Sequence, residues 1–498
     1  MEFILPDETI LYPERQKTMS ENDQRAREPA PSFQSSGQVI PLQVLWPFIL
    51  LTTLFAWWGL ANNMTDTLLA AFKRIMSFND GKTAWIQVVC YALGYGCFAI
   101  PGAMFMKRFT FKAGVLLGLG MYVTGTLLFF PACLTAAMPN LCYLFYLVAI
   151  LITFAGLSVL ETACNPYICA LGSPETAARR LNFSQSFNPV GSIVGVAVSQ
   201  MFILSQLNPL SEEQRGQMTA EALAGVRTGE LHAISFTYGT IGLILLVTWL
   251  LILFTRMPRL REEDKRIDFT ATWGRLLRNK NYVWGVIAQF FYVGAQIATW
   301  SFAIRYCIAA LDLNTVLETG GVEALRHLEP VSACFYKVCG LIHFNAFLPK
   351  TAEQAAATYY VLSLILFVVM RFVCTGLMKF LKPSTILSIL ALFAILFCLN
   401  TALRPGLSGV YTLIGITGCM SLMFPTIFAF GTRGLGEDLK MGGSGMVMAI
   451  AGAALLTQVQ GLLSDKTGSI ALTYLVPAAG FAVVGFYAFF ITRKTEKA

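Results

Sequence analysis

Between residues 44 and 492 the chain alternates between long apolar runs and short polar connections. A helix needs about 20 mostly apolar residues to cross the hydrocarbon core of a bilayer. Twelve runs qualify, at approximately 44–73, 83–106, 112–134, 140–171, 178–206, 233–256, 281–311, 354–379, 384–403, 407–431, 441–463 and 469–492. The pattern predicts an all-α membrane protein with twelve transmembrane helices and both termini on one side. Residues 1–43 are polar and Pro-containing, without a charged segment followed by an apolar one, so a disordered tail is expected rather than a cleaved signal peptide. Met19 is an alternative initiator.

Composition agrees with a polytopic chain. Of the 498 residues 56% are hydrophobic and 13% charged, about half the charged share of a water-soluble protein; mean hydropathy is +0.62. The net charge of +8 calls for no nucleic-acid partner, because the placement of Lys and Arg accounts for it. With the N-terminus inside, cytoplasmic loops hold Lys107, Arg108, Lys112, Arg179, Arg180, Lys379, Lys382, Arg433 and Lys440. The loop 257–280 is the densest basic run, and the tail 493–498 adds more. This follows the positive-inside rule; Lys73, Arg74 and Lys82 depart from it. The expected location is the plasma membrane, which in a prokaryote is the inner membrane. Ten of the twelve cysteines lie in apolar runs, where Cys behaves as a small hydrophobe. Cys334 and Cys339 lie in the long outer loop 312–353 and are open to either a disulfide or two free thiols. The stretch CFYKVCGLIHFNAFL in that loop is too short to span and suits an interfacial segment or a cover for the outer mouth.

The basic loop divides the chain into halves of six spans, 44–256 and 281–492. Span four contains Pro166, Ile168, Ala170 and Gly172 in a P-x-I-x-A-x-G pattern, and span ten repeats it with Pro425, Ile427, Ala429 and Gly431. Spans one and seven match more weakly, Phe55 and Gly59 against Phe290 and Gly294. Parallel halves related by an axis along the membrane normal place a substrate between them near the midplane.

Intramembrane charge is costly and usually faces a cavity. Two acids stand in apolar spans, Asp66 in span one and Glu161 in span four. Either could be a structural carboxyl bonded to a neighbouring helix, but transport is the favoured reading. Desolvation disfavours the charged form of a carboxyl, so such a group can take a proton on one side and release it on the other. His232, His327 and His343 all lie in outer loops or at span edges and are poorer carriers. The proton is the expected coupling ion, sodium the alternative, and no cofactor or metal is expected.

Neutral amides accompany the acids: Asn62 and Asn63 in span one, Asn165 in span four, Asn182, Gln185 and Asn188 in span five, Gln289 and Gln296 in span seven. Gln185 and Asn188 share a helix face, as do Asn62 and Asp66. Amides both donate and accept, which suits a small neutral sugar, and Trp57, Trp58, Tyr292 and Trp300 could stack on a pyranose. The plainer alternatives are interhelical hydrogen bonds for the amides and interface packing for the aromatics. Arg305 and Arg371 can snorkel to the interfaces and are read as structural or gating groups. Gly191 with Gly195, and Gly94 beside Gly96, allow close helix packing. There is no GxxxxGK[ST], HExxH or paired CxxC, so neither an enzyme nor nucleotide-driven transport is expected. Nothing demands an obligate protein partner, and a monomer in the lipid bilayer is expected.

The stretches WGLANNMTD, GLSVLETACNPY, RRLNFSQSFNPVGS, AQFFYVGAQIATWSFAIRY and MFPTIFAFGTRGLG resemble the fucose permease branch of the major facilitator superfamily, over roughly residues 44–492. The resemblance implies proton symport, with Asp66 and Glu161 as the essential carboxyls and Asp66 the main coupling residue. It implies that Asn63, Gln185 and Asn188 contact sugar or line its cavity. YVGAQIATW followed by IRY resembles the fucose members in particular. One departure counts against fucose itself: the fucose-type pattern has Gln-Tyr before Pro-Thr-Ile-Phe, where this chain has Met423 and Phe424, so a hydroxyl facing the sugar is lost. The leading reading is an L-fucose and proton importer working by alternating access. A glucose, galactose or N-acetylglucosamine transporter of the same fold is the alternative, and a non-transporting sugar sensor is the reading from another class.

Overall fold

The computed structural model describes residues 39–492 apart from 77–87, 137, 204–205, 207–214, 216, 259–268, 342–347 and 350–351. Both tails, most of the inter-bundle loop and the side chain of Asp66 lie outside the described residues.

Every regular element among the described residues is helical. Among the described residues, nine helical segments are long and apolar enough to cross a membrane. A tenth span, the seventh in chain order, is the pair Lys280–Ser301 and Ala303–Leu311, bent by 46°. Spans two and five are helical but broken. Span two is Val88–Cys97, a π-helical stretch, followed by Phe98–Arg108. Span five is Ala177–Gln185 followed by Phe187–Phe202. The break in span two falls where the π-helix gives way to the α-helix, and that in span five at Ser186. The twelve spans pack as two six-helix bundles.

Span one is Leu45–Met76 and span four is Pro139–Ala170. Span six is the helix Ala220–Phe254, starting well before its apolar run. Its first turns (AEALAG) are good helix formers, and Thr219 accepts the Ala222 amide. The buried Arg215 guanidinium anchors this end through both oxygens of Glu230, at 2.5 and 3.0 Å.

The repeat detected between spans one and seven has a packing reason. A Cβ on Gly59 would lie 1.9 Å from the Asn188 carbonyl oxygen of span five, and one on Gly294 2.8 Å from the Gly452 carbonyl oxygen of span eleven. Each half therefore brings its first and fifth helices into backbone contact, which only small residues permit. Arg180, counted above among the loop cations, is fully buried. It donates to the carbonyls of Ile168, Cys169 and Ser173, at 3.2, 2.6 and 3.1 Å, and so caps span four, where a cation also meets the negative end of the helix.

Two faces can be named by their connections: the linker face, with Phe269–Arg278 between the halves, and the far face, with the 312–353 segment. That segment contains the helices Leu313–Arg326 and Pro330–Leu341. Glu329 fixes it to the C-terminal half. Its carboxylate accepts the amides of Val331 and Ser332, at 2.8 and 2.6 Å, and the Tyr411 hydroxyl of span ten. Burial raises the proton affinity of this carboxyl, but the hydrogen bonds from Tyr411, Val331 and Ser332 outweigh it and hold the pKa below the ordinary glutamate value. A lowered folded pKa means stabilisation that is complete above the unfolded value, about 4.3, and lost as pH falls through the folded one. Glu329→Gln is therefore expected to speed hydrogen exchange in Pro330–Leu341 several-fold at neutral pH. The difference from wild type should shrink once the medium is acid enough to protonate Glu329.

Candidate functional site

A cavity of about 160 Å³ lies between the two halves. Span one supplies Trp58, Asn62 and Asn63; span five supplies Gln185 and Asn188. Facing them are Gln296 and Trp300 of span seven and Phe424 of span ten. The wall also contains Tyr95, Ser192, Tyr360, Phe367 and Arg371, which sequence patterns did not single out for binding. With 17 tyrosines in the chain, nothing local marks Tyr95 or Tyr360 as facing a cavity.

Gln289 and Tyr292 are not brought to the wall. The Tyr292 hydroxyl donates to the Met420 carbonyl at 3.0 Å, and its ring meets that of Phe424 at 6.3 Å, so it braces the wall from behind. Gln289 is wholly buried, and neither end of its amide has a protein partner. It sits one helical turn toward the linker face from Val293, on the stripe that carries Gln296. Trp57 lines a separate apolar groove between spans one, five and six instead.

Arg371 corrects an expectation. It does not snorkel: it is 3% exposed and stands at the cavity floor. Its Nε donates to the Ser421 carbonyl, its Nη1 to the Gln185 carbonyl at 2.9 Å, and its guanidinium lies 4.7 Å from the Phe367 ring centre. Spans five, eight and ten meet on this one cation. Carbonyl dipoles and a ring face compensate part of its desolvation.

Among the described residues, hydrogen bonds that tie the halves directly lie on the linker side of the cavity. Besides Arg371 to Gln185, Asn182 Nδ2 donates to Thr426 Oγ1 at 2.9 Å, and Lys440 Nζ donates to the Met106 carbonyl at 2.6 Å. Asn182 thus serves the seam and not the cavity. Gln185 reaches the other way, donating through Nε2 to Asn165 Oδ1 at 2.8 Å, which orients the amide beside the floor.

Glu161 is 2% exposed, and neither carboxyl oxygen has a protein hydrogen-bond partner. It lines a small compartment of about 10 Å³ with Leu54, Phe55, Trp58, Leu157, Leu160 and Cys164. An unpaired carboxylate in such surroundings costs several kcal/mol, whereas an unpartnered neutral acid costs about 1–3 kcal/mol. Asp66 lies on the same helix as Asn62, one turn on; its side chain is outside the described residues. Among the described residues no group of three or more His, Cys, Asp or Glu could hold a metal ion.

Two six-helix bundles of apolar spans enclosing a cavity lined by amides and aromatic rings define a membrane transporter. The profile of the Major Facilitator Superfamily matches residues 48–440, and the chain belongs to that family. It is 35% identical over 465 residues to the L-fucose-proton symporter of Haemophilus influenzae, covering 91% of this chain and 98% of that protein. A crystal structure of the transporter FucP in the outward conformation superposes with a TM-score of 0.76 at 34% identity, covering 90% of this chain and 98% of that one. More distant is the glucose/galactose transporter of Brucella abortus, 27% identical over 437 residues, covering 88% of this chain and 92% of that protein.

Proposed function

We propose that the chain imports a neutral sugar, L-fucose first among candidates, together with protons by alternating access. The observation that carries this reading is a cavity walled by amides and aromatic rings, its one cation, Arg371, engaged by the Ser421 and Gln185 carbonyls, with the carboxyl of Glu161 one indole away. Amides can satisfy a ring of hydroxyls in both directions, while the faces of Trp58 and Trp300 suit the C–H face of a pyranose. The activity named for the Haemophilus influenzae relative, L-fucose-proton symport, supports the coupling ion and the sugar class.

The density of Lys and Arg in the loops of the linker face supports a cytoplasmic position for that face. In the state described here the cytoplasmic side is held shut by the Asn182, Arg371 and Lys440 bonds. Neutral hydrogen bonds contribute about 0.5–1.5 kcal/mol each and those to charged groups about 1.5–3. Their sum is within what a ligand's differential affinity for two states can offset. Sugar binding and protonation of Glu161 and Asp66 together favour the switch, and the halves then rock about the site. Asp66 is assigned the main proton-coupling role and Glu161 the one nearer the sugar. Gln289, buried on the stripe below Gln296, becomes part of the wall once the cytoplasmic side opens.

The Phe424 wall offers no hydroxyl, which favours a sugar packed there through carbon, so other neutral hexoses remain the second reading. Lightly buffered, de-energised cells expressing the protein test both. L-fucose, D-arabinose, galactose, glucose and N-acetylglucosamine are added singly while external pH is followed. Alkalinisation with one sugar, lost in Asp66→Asn, is the expected result and names the substrate. Silence with every sugar, despite verified surface expression, contradicts the reading.

A further inference from the structure

The sugar cavity and the Glu161 compartment share one lining residue, Trp58. The indole is therefore the partition between them. Its Nε1 donates to the Tyr95 hydroxyl at 2.5 Å, across from span one to span two. Tyr95 itself is held firmly. It is 2% exposed, its ring meets Phe154 edge-on at 6.1 Å, and its carbonyl accepts the Ser158 hydroxyl at 3.3 Å. Both of those partners belong to span four, the helix that carries Glu161. Tyr95 also lies in a π-helical stretch, an irregularity often found at functional positions.

We propose that Trp58 is a shutter between the sugar cavity and Glu161, and that Tyr95 is the positioning residue that holds it closed while the cavity is empty. The inference rests on the reading of Glu161 as a proton-carrying carboxyl, and adds what keeps that carboxyl from exchanging protons without sugar. The indole N–H has a single hydrogen to give. A sugar hydroxyl arriving in the cavity competes with the Tyr95 hydroxyl for it, and the ring is then free to move off the compartment. Behind it is room for about one water molecule, enough to relay a proton to a carboxyl otherwise surrounded by carbon, the Cys164 thiol, the indole and the Asn165 amide one turn along span four. Without such a barrier an outward-facing carboxyl would equilibrate with the medium whether or not sugar is present, and reorientation of the empty carrier would leak protons.

The test uses the purified full chain and needs no knowledge of the sugar. Glu161 modification by a water-soluble carbodiimide is followed by peptide mass spectrometry in wild type, Tyr95→Phe and Trp58→Ala. The expected result is slow modification in wild type and a rate at least several-fold higher in both variants. In proteoliposomes containing a pH-sensitive dye, Tyr95→Phe should admit protons without sugar, and adding Glu161→Gln to it should abolish that leak. A Tyr95→Phe protein that unfolds thermally like wild type, yet shows wild-type Glu161 reactivity and no sugar-free proton entry, overturns the proposal. If Tyr95→Phe does not fold, Trp58→Phe, which keeps a ring and lacks the N–H, is judged by the same two readouts. Failure of sugar-coupled alkalinisation in wild type would refute symport and leave the carbodiimide result to decide the shutter.

Discussion

Replacing Glu161 with Gln is expected to abolish sugar accumulation while sparing sugar exchange. The substitution keeps the shape of the side chain and removes the titrating proton. The compartment of Leu54, Phe55, Leu157 and Leu160 accepts a neutral group, so the fold should survive. Driven uptake by cells with an imposed pH gradient should fall to simple equilibration. Counterflow, in which labelled sugar enters as unlabelled sugar leaves, needs no net proton movement and should persist at a rate comparable to wild type. A Glu161→Gln protein that still concentrates sugar as wild type does would remove Glu161 from the coupling path. A protein that loses counterflow as well would make Glu161 part of the binding wall rather than a proton carrier.

Arg371→Met is expected to cost at least tenfold in transport, by a different route. Methionine fills much of the same volume, yet it returns nothing to the Ser421 and Gln185 carbonyls that the guanidinium satisfies. Losing hydrogen bonds to a charged donor costs about 1.5–3 kcal/mol, and the bond to Gln185 crosses the seam between the halves. The equilibrium should move away from the state closed at the linker face, a shift of about tenfold for each 1.4 kcal/mol. A cysteine placed at Thr426, on the linker side of the floor, should label faster from that side with a hydrophilic maleimide in the Arg371→Met background. Unchanged labelling alongside lost transport would mean that Arg371 acts on the sugar directly.

Much of the architecture was legible because a bilayer leaves a chain few options. Backbone groups in hydrocarbon must bond internally, so an apolar run of sufficient length is a helix. The breaks were less visible. Span two reads as one run, yet part of it is π-helical at Tyr95. Span six extends beyond its apolar run, because hydropathy marks the membrane and not the helix. In the candidate site, Gln185 and Asn188 stand on one face by their spacing, and both line the cavity. Asn182, one turn earlier on that face, meets Thr426 instead. No local pattern distinguishes a wall amide from a seam amide, since the difference is made by a helix 244 residues away. The expected snorkelling of Arg371 fails for the same reason, while a structural or gating role still fits its place at the seam. A cation near the end of an apolar helix resembles a snorkelling one until spans five and ten bring two carbonyls to it. Tyr95 carried no signal, because its importance comes from touching Trp58.

The most direct test of the central claim is sugar uptake by proteoliposomes containing only this protein, with a pH gradient, acid outside, as the sole driving force. The account predicts that L-fucose, or another neutral hexose identified by the cell assay, accumulates inside above its external concentration, and that a protonophore discharges it. Uptake that only equilibrates, and is indifferent to both gradient and protonophore, would contradict proton coupling and leave a facilitator with the same cavity.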